Sequence, residues 1–345
     1  MNIKYINPID NPEWLKFISN HKDSNIFHHP NWLRVLKNQY NYKTSAVCLY
    51  DDGIMKAGLP YCETHSITGK RKIVSLPFSD FCNPLYNSED ELNELLKAII
   101  FRSEHKKISS IEINSDLKGM NSFIRVPDSV VHLFEIKNSE EELMKSFHDS
   151  KRRGIKKALK EDLEVIISKD YDAVQSFFNL HLQTRKSKGI PVQPHSFFKE
   201  IFNCIIKEGN GFIILVKKEN IDIAATMFLY FNSVLTYKYN ASDIKYQHLR
   251  PNNLIVWHSL LEAIRLGLRY YDFGKSDLDN IGLREFKSQW GGVERVNIFS
   301  YYPAFSEHEL FCTLKDKIVS PMIRNSPVFV CRLIGELGYK YFPSI

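Results

Sequence analysis

One lysine in the second half of the chain lies in a setting suited to chemistry. Lys287 stands between Phe286 and Trp290, and a flexible Gly-Gly pair follows. Two bulky aromatic side chains and a glycine pair around one lysine suggest an enclosed setting for its ammonium group. The alternative is a solvated lysine that forms a surface ion pair with Glu285 or Glu294. Both interpretations stay open, and the first makes Lys287 a candidate catalytic residue with Phe286 and Trp290 as substrate contacts.

The segment before this lysine reads as a short aromatic strand. Residues 270–273 are predicted to form the strand, and Gly274 is predicted to break it. A strand end that opens into a loop is a common place for a functional site. Asp272 and Ser276 flank the glycine. They either line the same cleft as Lys287, as substrate-binding residues, or only hydrogen-bond the strand end.

Basic side chains are concentrated in one short segment. Residues 151–160 contain six lysines and arginines and no acid. On a helix, most of these side chains would share one face, opposite Ile155, Ala158 and Leu159. Such a face suits the phosphates of tRNA, of a nucleotide-linked precursor or of coenzyme A, although a solvated charged face explains it equally well. The candidate phosphate ligands in this segment are Arg152, Arg153, Lys156 and Lys157.

Three further polar residues are candidates on weaker grounds. Asp80 lies where the third strand of the first half is predicted to end. Its carboxylate is a candidate catalytic group that accepts a proton or holds an amine, although turn capping is the more common use of such an aspartate. Arg185, near the end of a predicted helix, is a candidate substrate contact. Tyr239 is predicted to share a strand face with Tyr237, where it packs in the core or contacts a substrate.

The predicted elements occur in the same order in both halves of the chain. Each half has helices, three strands with a tight turn, another helix and a closing strand. Two α+β modules are therefore predicted, over residues 1–140 and 141–303. The predicted strands are 44–50, 54–64, 71–76, 108–113, 212–217, 223–231, 234–240 and 270–273, and the predicted helices are 31–37, 89–102, 170–188, 196–207 and one capped by Asn252 or Asn253.

Residues 304–345 are predicted to form a C-terminal helical tail. Its apolar stripe either packs on the core or contacts a membrane surface or a partner. The stripe consists of Phe329, Val330, Leu333, Ile334 and Leu337.

The composition excludes several classes of protein. Of the 345 residues, 43% are hydrophobic and 25% are charged, and no apolar run is long enough to span a bilayer. No secretory signal is visible, and six scattered cysteines without a C-x-x-C pair disfavour a disulfide framework and a zinc site. A net charge of +6 is too mild to indicate nucleic acid by itself. We therefore expect a cytoplasmic protein with no metal and no permanently bound cofactor.

Five short motifs occur in an order that is specific when they are taken together. They are Leu76-Pro77-Phe78-Ser79-Asp80-Phe81, Arg153-x-x-Lys156-Lys157-Ala158, Thr184-Arg185-x-x-x-x-Gly189-x-Pro191, Phe273-Gly274-x-Ser276 and Phe286-Lys287-x-x-Trp290-Gly291. Over residues 25–303 they resemble the FemAB-like proteins of the GNAT acyltransferase superfamily, and especially their BioF2-like branch. The resemblance implies two tandem GNAT-like domains, each a mixed, mostly antiparallel sheet flanked by helices.

The resemblance also implies a chemistry. FemAB-type members transfer an aminoacyl group from aminoacyl-tRNA to an amine of a cell-wall precursor, and other branches are linked to surface polysaccharides. An amine attacks an activated acyl carbon directly, so no covalent enzyme intermediate is needed, and no convincing nucleophile triad is present in this sequence. In this family the lysine of the Phe-Lys pair is implicated in stabilising the oxyanion, and the matching residue is Lys287.

One segment departs from the GNAT pattern. Ordinary GNAT enzymes hold the coenzyme A pyrophosphate on a glycine-rich loop and the following helix N-terminus. The matching segment, residues 241–251, contains no glycine. This weakens the case for ordinary acetyl-CoA binding, although Arg250 and the helix N-terminus can still contact an anionic group.

The leading expectation is an acyltransferase or aminoacyltransferase that forms an amide on a cell-envelope or surface-polysaccharide precursor. Its donor would be a co-substrate, either aminoacyl-tRNA or acyl-CoA. Two alternatives are a CoA-dependent N-acyltransferase acting on a small amine or amino sugar, and a non-catalytic module that binds an anionic carrier or assembly partner. The tRNA and the inner face of the membrane are the macromolecular contacts that these hypotheses include.

Overall fold

The computed structural model describes residues 1–66, 69–303 and 320–339. Within them the chain divides into two compact units. The first unit comprises residues 1–128, 296–303 and 338–339, and the second comprises residues 129–295 and 320–337. Each unit combines a mixed sheet with flanking helices, which confirms the predicted fold class.

The first unit is built on a sheet with the strand order β1-β2-β3-β4-β5-β12. Its strands are β1 (Asn2–Ile6), β2 (Lys43–Asp51), β3 (Ile54–His65), β4 (Arg71–Ser75), β5 (Ser110–Ile113) and β12 (Val293–Tyr302, from Val296 onward), and its helices are α1 (Pro12–Asn20), α2 (Pro30–Tyr40) and α3 (Glu89–His105). Only β4 and β5 run parallel, and α3 connects them. α3 packs its apolar stripe onto the sheet to form the core of this unit.

The second unit repeats this plan with the strand order β6-β11-β10-β9-β8-β7. Its strands are β6 (Ile124–Glu135, from Ser129 onward), β7 (Glu164–Ser168), β8 (Gly211–Lys218), β9 (Ile221–Phe231), β10 (Val234–Ser242) and β11 (Tyr270–Asp277), and its first helices are α4 (Glu140–Ser146), α5 (Asp149–Ala158), α6 (Tyr171–Lys188) and α7 (His195–Ile201). Two more helices are α8 (Pro251–Arg265) and α9 (Ile281–Ser288). Here β10 and β11 are the parallel pair, and α8 connects them.

Local sequence explains several boundaries in this unit. Glu219 and Asn220 both have positive φ between the paired ends of β8 and β9, which is the geometry of a two-residue type I′ hairpin turn. Gly189 ends α6 in the left-handed conformation, as predicted. The helix predicted over 196–207 is α7 followed by a short π-helical segment, Phe202–Ile206.

The sequence-based prediction recovers most of the strands and omits some elements. It finds β2, β3, β4, β5, β8, β9, β10 and the first half of β11. It misses the strands β1, β6, β7 and β12, and it misses the helices α1 and α9. The two units also differ from the predicted domain limits, because β6 pairs with β11 and β12 pairs with β5. Residues 129–140 therefore group with the second unit, and residues 296–303 group with the first.

The predicted tail is described in part. Residues 304–319 and 340–345 lie outside the described residues, and the rest contains α10 (Ser320–Asn325) and α11 (Val328–Gly338). Gly335 lies so close to the Val192 carbonyl that a Cβ would overlap it, so α11 packs on the second unit. In the predicted stripe, Leu333 is 51% exposed, while the side chains of residues 329, 334 and 337 lie outside the described part. No helix among the described residues is long and apolar enough to cross a membrane.

Candidate active site

The two parallel strands of the second unit separate at their carboxyl ends. Three residue pairs join β10 to β11, and the last of them is Thr236 with Asp272. Beyond it, β10 continues beside β9 to Ser242, and β11 continues beside β6 to Asp277. A crevice at the carboxyl ends of parallel strands, where neighbouring strands diverge, is a common ligand site. The separation therefore opens a cleft inside the sheet of this unit.

A β-bulge shapes β11 just after the last of these pairs. Phe273 and Gly274 together lie opposite one residue of β6, His132, because the register shifts between Asp272 and Lys275. Gly274 has φ +67°, and its N–H donates a 2.8 Å hydrogen bond to Asp272 Oδ1. Gly274 thus bends β11 and does not end it, which corrects the prediction that the strand stops there. Asp272 holds the bend.

Lys287 lies on α9, directly behind this bulge. Its side chain is 3% exposed, so it is not a solvated surface lysine. Its Nζ donates hydrogen bonds of 2.8 Å to the carbonyl oxygens of both Gly274 and Lys275. A buried ammonium is costly unless it is hydrogen-bonded, and these carbonyls provide acceptors for it. α9 begins at an N-cap, Asn280, whose side chain accepts from the Leu283 N–H, so Lys287 is carried by a helix and not by a loop.

A buried histidine on β6 completes the surroundings of Lys287. His132 Nε2 lies 3.0 Å from Ser288 Oγ and 3.2 Å from Glu294 Oε2. Arg284 donates two hydrogen bonds to Glu294 and lowers the pKa of that carboxyl. Burial, and next the positive charge of Lys287, lower the pKa of His132, which is therefore neutral at pH 7. The network ties the end of α9 to β6 and to Glu294, all within the second unit.

Lys151, on α5, is a site residue that the sequence analysis did not select. It is 7% exposed, and its Nζ lies 3.8 Å from the ring centroid of Phe286 and 5.7 Å from that of Trp290. Burial, with a smaller contribution from the charge of Arg250, lowers its pKa to about 8. The signal was present in the sequence: residue 151 shares a helical face with residues 155 and 158, which are both buried.

The N-terminus of α8 lies at the same carboxyl ends, because α8 follows β10 in the chain. Arg250 is its N-cap, with φ +63° and no side-chain cap bond, so the predicted capping by Asn252 or Asn253 is wrong. Asn252 bonds back to Asn240 (3.1 Å) and Ser242 (3.4 Å) on β10. The first turn of α8 contains no acidic residue. Its backbone N–H groups and positive dipole end therefore favour an anion.

The other basic residues of α5 are arranged differently from Lys151. Arg153, Lys156 and Lys157 are exposed and form no ion pair within the described residues, whereas Arg152 pairs with Asp149. The predicted charged face thus exists. The predicted apolar face is correct for Ile155 and Ala158 and wrong for Leu159. Leu159 follows the end of α5 and is 59% exposed.

Arg185 hydrogen-bonds to the backbone of the turn that follows α6. Its Nε and Nη2 donate hydrogen bonds of 3.0 and 2.8 Å to the Pro191 carbonyl oxygen, which holds the turn that follows Gly189. The neighbouring Thr184 connects α6 to the end of β10, because its hydroxyl accepts from the Ser242 N–H at 3.2 Å. Arg185 therefore stabilises the chain that leaves α6, and its predicted substrate contact stays a prediction.

Tyr239 lies on the opposite side of β10 from Tyr237. A β-bulge between the two residues shifts the register and breaks the expected alternation. The Tyr239 ring packs edge-on against Phe198, with centroids 5.3 Å apart, whereas the Tyr237 ring packs against Phe228 and Tyr271. The prediction that the two tyrosines share a face is therefore wrong.

The last two predicted residues are both buried. Ser276, on β11 beyond the bulge, is 2% exposed, and its hydroxyl has no hydrogen-bond partner within the described residues. Asp80 belongs to the first unit, where its backbone carbonyl accepts from Asn114 (3.1 Å) and Asn297 (3.3 Å). These bonds hold the turn after β4. The proton-accepting role of the Asp80 carboxylate stays a prediction.

Several predicted residues of the second unit thus lie on elements next to the point where β10 and β11 separate. Lys287 and Asp272 fix the bulge of β11, Phe286 and Trp290 enclose Lys151, and Arg250 begins α8. No group of His, Cys, Asp or Glu side chains among the described residues is arranged to hold a metal ion. The cleft offers cations, backbone dipoles and a polar strand edge, which suit an activated acyl group with an anionic carrier.

Comparisons with known proteins agree with this geometry. Residues 145–288 match the family model described as an acetyltransferase (GNAT) domain, which covers the cleft and Lys287. No protein in a search of curated sequences matches the chain.

Solved structures share its fold at low sequence identity. The FemX crystal structure superposes with a TM-score of 0.72 at 17% identity, over 91% of this chain and 100% of that one. L-PGS from Bacillus licheniformis gives 0.56 at 12% identity, over 89% and 97% of the two chains. A tandem GNAT protein from the clavulanic acid biosynthesis pathway gives 0.56 at 8% identity, over 89% and 100%.

These matches extend over both units and are strongest for a FemAB-type fold among the three structures compared. The GNAT domain match lies in the second unit, where the strands separate. The chain therefore has the FemAB-like, tandem-GNAT fold, and its residues 145–288 are similar to a GNAT acetyltransferase domain.

Proposed function

We propose that this protein transfers an acyl or aminoacyl group to an amino group of a cell-envelope or surface-polysaccharide precursor, in the cleft between β10 and β11. The observation that carries the proposal is the position of Lys287, buried behind the bulge at which the two strands separate. A fixed cation at the edge of a crevice can stabilise a developing oxyanion without reorganisation of solvent. The FemAB-like fold supports the choice of an amide-forming reaction.

The proposed reaction is a direct displacement. The neutral acceptor amine attacks the acyl carbon, a C–N bond forms, and the carbonyl electron pair moves to the oxygen near Lys287. The tetrahedral intermediate then expels the donor's thiolate or ribose alkoxide, and the proton lost by the amine goes to the leaving group or to water. Asp272 acts as a positioning residue, because it holds the Gly274 bend against which Lys287 is bonded.

Two donor classes fit this chemistry. Aminoacyl-tRNA fits the FemAB-like resemblance, and acyl-CoA fits the match to an acetyltransferase domain. The absence of glycine in residues 241–251 favours a donor whose phosphates are held by side chains. A CoA-dependent enzyme acting on a small amine is the second candidate, favoured specifically by the GNAT domain match.

A transfer assay tests the proposal. Purified full-length protein is incubated with a muropeptide or amino-sugar acceptor and either a labelled aminoacyl-tRNA or a labelled acyl-CoA, and amide product is measured by mass spectrometry. We expect product from one donor class, lost in Lys287→Met and kept in Lys169→Met, which removes an exposed lysine of the same unit. Product formation at the wild-type rate by Lys287→Met would contradict the role of this lysine.

The same assay separates the enzyme from a binding module. A protein that only binds an anionic carrier would retain the donor on a filter and would give no amide with any donor or acceptor. That result, with the wild-type chain folded and the donor bound, would overturn the proposed function.

A further inference from the structure

The first unit carries a groove that shares no residue with the candidate active site. It lies between α1 and the turn that joins β2 to β3, and its volume is about 620 Å³. Pockets that bind small molecules are commonly of this size. Gly53, with φ +76°, ends the turn on one side, and His21 and Lys22 follow α1 on the other. A small ligand therefore fits between these two elements.

The charges that line this groove are mostly positive. Lys16, Lys22 and Lys56 all line it, and their ammonium groups form no hydrogen bond or ion pair within the described residues. Glu13 is the acid that lines it, and its carboxylate accepts from the Tyr50 hydroxyl at 2.9 Å. Three like charges around one concave surface repel each other, and an anion between them removes that repulsion. The groove therefore favours an anionic ligand.

His21 lines the groove as a buried hydrogen-bond donor. It is 6% exposed, and its ring packs against that of Phe17, with centroids 5.5 Å apart. Its Nδ1 accepts from the Asp23 N–H at 3.3 Å, and burial lowers its pKa, so the neutral ring carries its proton on Nε2. Nε2 is buried and has no hydrogen-bond partner within the described residues. A buried donor without an acceptor is costly, so this nitrogen indicates a ligand.

Within the described residues, no group near His21 takes the place of that ligand. Asp23 and Glu91 are close enough to raise its pKa, but neither carboxylate lines the groove or accepts from Nε2. The Tyr86 backbone also raises this pKa, without a hydrogen bond to Nε2. The Nε2–H therefore stays available to an acceptor atom of a ligand in the groove.

The groove also has an apolar wall. Phe17 on α1 and Ile54 and Met55 at the start of β3 line it, and Ile54 is 61% exposed. A large aliphatic side chain left this exposed is stabilised when an apolar ligand surface covers it. A purely inorganic anion would leave these side chains in water. The lining therefore suits an anion that carries an apolar part.

We propose that this groove of the first unit binds an organic phosphate. The phosphate oxygens accept from the lysine ammonium groups, which are those of Lys16, Lys22 and Lys56. They also accept from the Nε2–H of His21, and the apolar part of the ligand lies on Phe17. Several cationic donors match the double charge and three oxygens of a phosphate better than the single charge of a carboxylate. A free nucleotide and a lipid head group share this chemistry, and the site does not depend on the proposed function.

Binding to the full-length protein tests the site. Uridine monophosphate and sodium phosphate are titrated calorimetrically, and phosphatidylglycerol vesicles are tested by co-sedimentation. We expect uridine monophosphate or the vesicles to bind equally to the wild type and to Lys97→Met, which changes an exposed lysine of α3. Lys56→Met should bind the same probe about tenfold more weakly. Binding of uridine monophosphate identifies a nucleotide ligand, and binding of the vesicles identifies a lipid head group.

Two results would overturn the proposal. One is that neither uridine monophosphate nor the vesicles bind the wild type, or that Lys56→Met binds them as well as the wild type does. The other is that sodium phosphate binds as tightly as uridine monophosphate while the vesicles do not bind, which would mean an adventitious ion only.

A second variant separates a ligand contact from a structural histidine. His21→Phe keeps a ring that packs on Phe17 and removes the Nε2–H donor. We expect it to bind the same probe about tenfold more weakly, while its melting temperature stays within about 3 °C of the wild type. A lower melting temperature with unchanged affinity would show that His21 only supports the fold, and it would contradict the proposal.

Discussion

The parallel strand pairs of the two units are built alike and end differently. In the first unit, β4 and β5 are joined through α3, and both strands end where their pairing ends, at Ser75 and Ile113. Ser75 Oγ then accepts from the Asn114 N–H and donates to the Cys82 carbonyl, which closes the carboxyl edge. In the second unit, β10 and β11 are joined through α8, and both strands continue after their last pair.

The two helices that connect the parallel strands, α3 and α8, differ in charge at their N-termini. α3 begins with three acids, Glu89, Asp90 and Glu91, behind a Ser88 cap. α8 begins with no acid and has Arg250 as its cap. An acidic first turn satisfies the helix dipole internally, whereas a turn without acids leaves it available to a ligand. In the same topology, the N-terminus of the connecting helix is therefore neutralised by acids in the first unit and carries no acid in the second.

The largest effect is expected from removing the ammonium group of Lys287, which has no buried lysine counterpart among the described residues of the first unit. Lys287→Met should lower kcat for transfer by about 10²–10³-fold, because a fixed donor to an oxyanion is worth that much in other enzymes. The loss should appear in kcat, with donor affinity nearly unchanged. Single-turnover assays with saturating donor measure it.

The same substitution also leaves the carbonyls of Gly274 and Lys275 without this donor. We expect a loss of about 1–3 kcal/mol in the free energy of unfolding, so the assay is run well below the melting temperature. A variant that remains folded, binds donor and transfers at the wild-type rate would show that Lys287 only supports the bulge.

A charge reversal at Arg250 would make the N-terminus of α8 resemble the acidic N-terminus of α3. Arg250→Glu places an acid at the N-terminus of α8 and should raise KM for the donor about 30-fold, through lost attraction and added repulsion. The reciprocal change, Glu89→Gln in α3, should leave KM unchanged. Steady-state kinetics compare the two variants, and an equal response in both would erase the proposed difference between the units.

The bend in β11 provides a smaller test. Asp272→Ala removes the acceptor of the Gly274 N–H and should lower kcat by about five- to tenfold, because the carbonyls that hold Lys287 shift. Asp272→Asn keeps an acceptor oxygen and should stay close to the wild-type rate. A greater loss in the asparagine variant than in the alanine variant would instead indicate that the carboxylate charge takes part in the reaction.

The smallest effect concerns stability. The pKa of Lys151 is lowered to about 8 in the folded protein, whereas an unfolded lysine titrates near 10.4. The unfolded chain therefore binds more protons between these values, and wild-type stability should rise with pH across this window. Lys151→Met should remove that slope and raise the free energy of unfolding at pH 7 by roughly 1–2 kcal/mol. Urea unfolding at pH 7 and pH 10 measures the pH slope and the free energy of unfolding. A lower free energy of unfolding for Lys151→Met than for the wild type would contradict the expected cost of burying this charge.

Sequence reasoning recovered most of the elements and their order along the chain, because the hydrophobic periodicity and the turn and cap residues were strong signals. Alternating strands, hairpin turns and capped helices defined most of both sheets, and Ser88 caps α3 as its capping pattern predicts. It also selected Lys287 through a short motif. It did not show that Lys287 would be buried on a helix, since burial depends on the bulge that α9 packs against.

The remaining differences arise from tertiary contacts and single-residue irregularities. One bulged residue moved Tyr239 to the other side of β10, and a glycine bend extended β11 to Asp277. Neither bulge has a sequence signature apart from Gly274. β6 and β12 pair with strands distant in sequence, so local periodicity gives little indication of them. Lys151 was hidden because a charged residue on a buried helical face contradicts the usual pattern.

Hydrogen exchange monitored by mass spectrometry tests the contrast between the units most directly. The full-length protein is compared alone, with coenzyme A and with uncharged tRNA, and peptides from both parallel strand pairs are followed. We predict that at least one ligand slows exchange in residues 237–242, 250–254 and 272–277, while residues 72–80 and 88–92 stay unchanged. Slower exchange in residues 72–80 and 88–92, without any change in the second unit, would contradict the account.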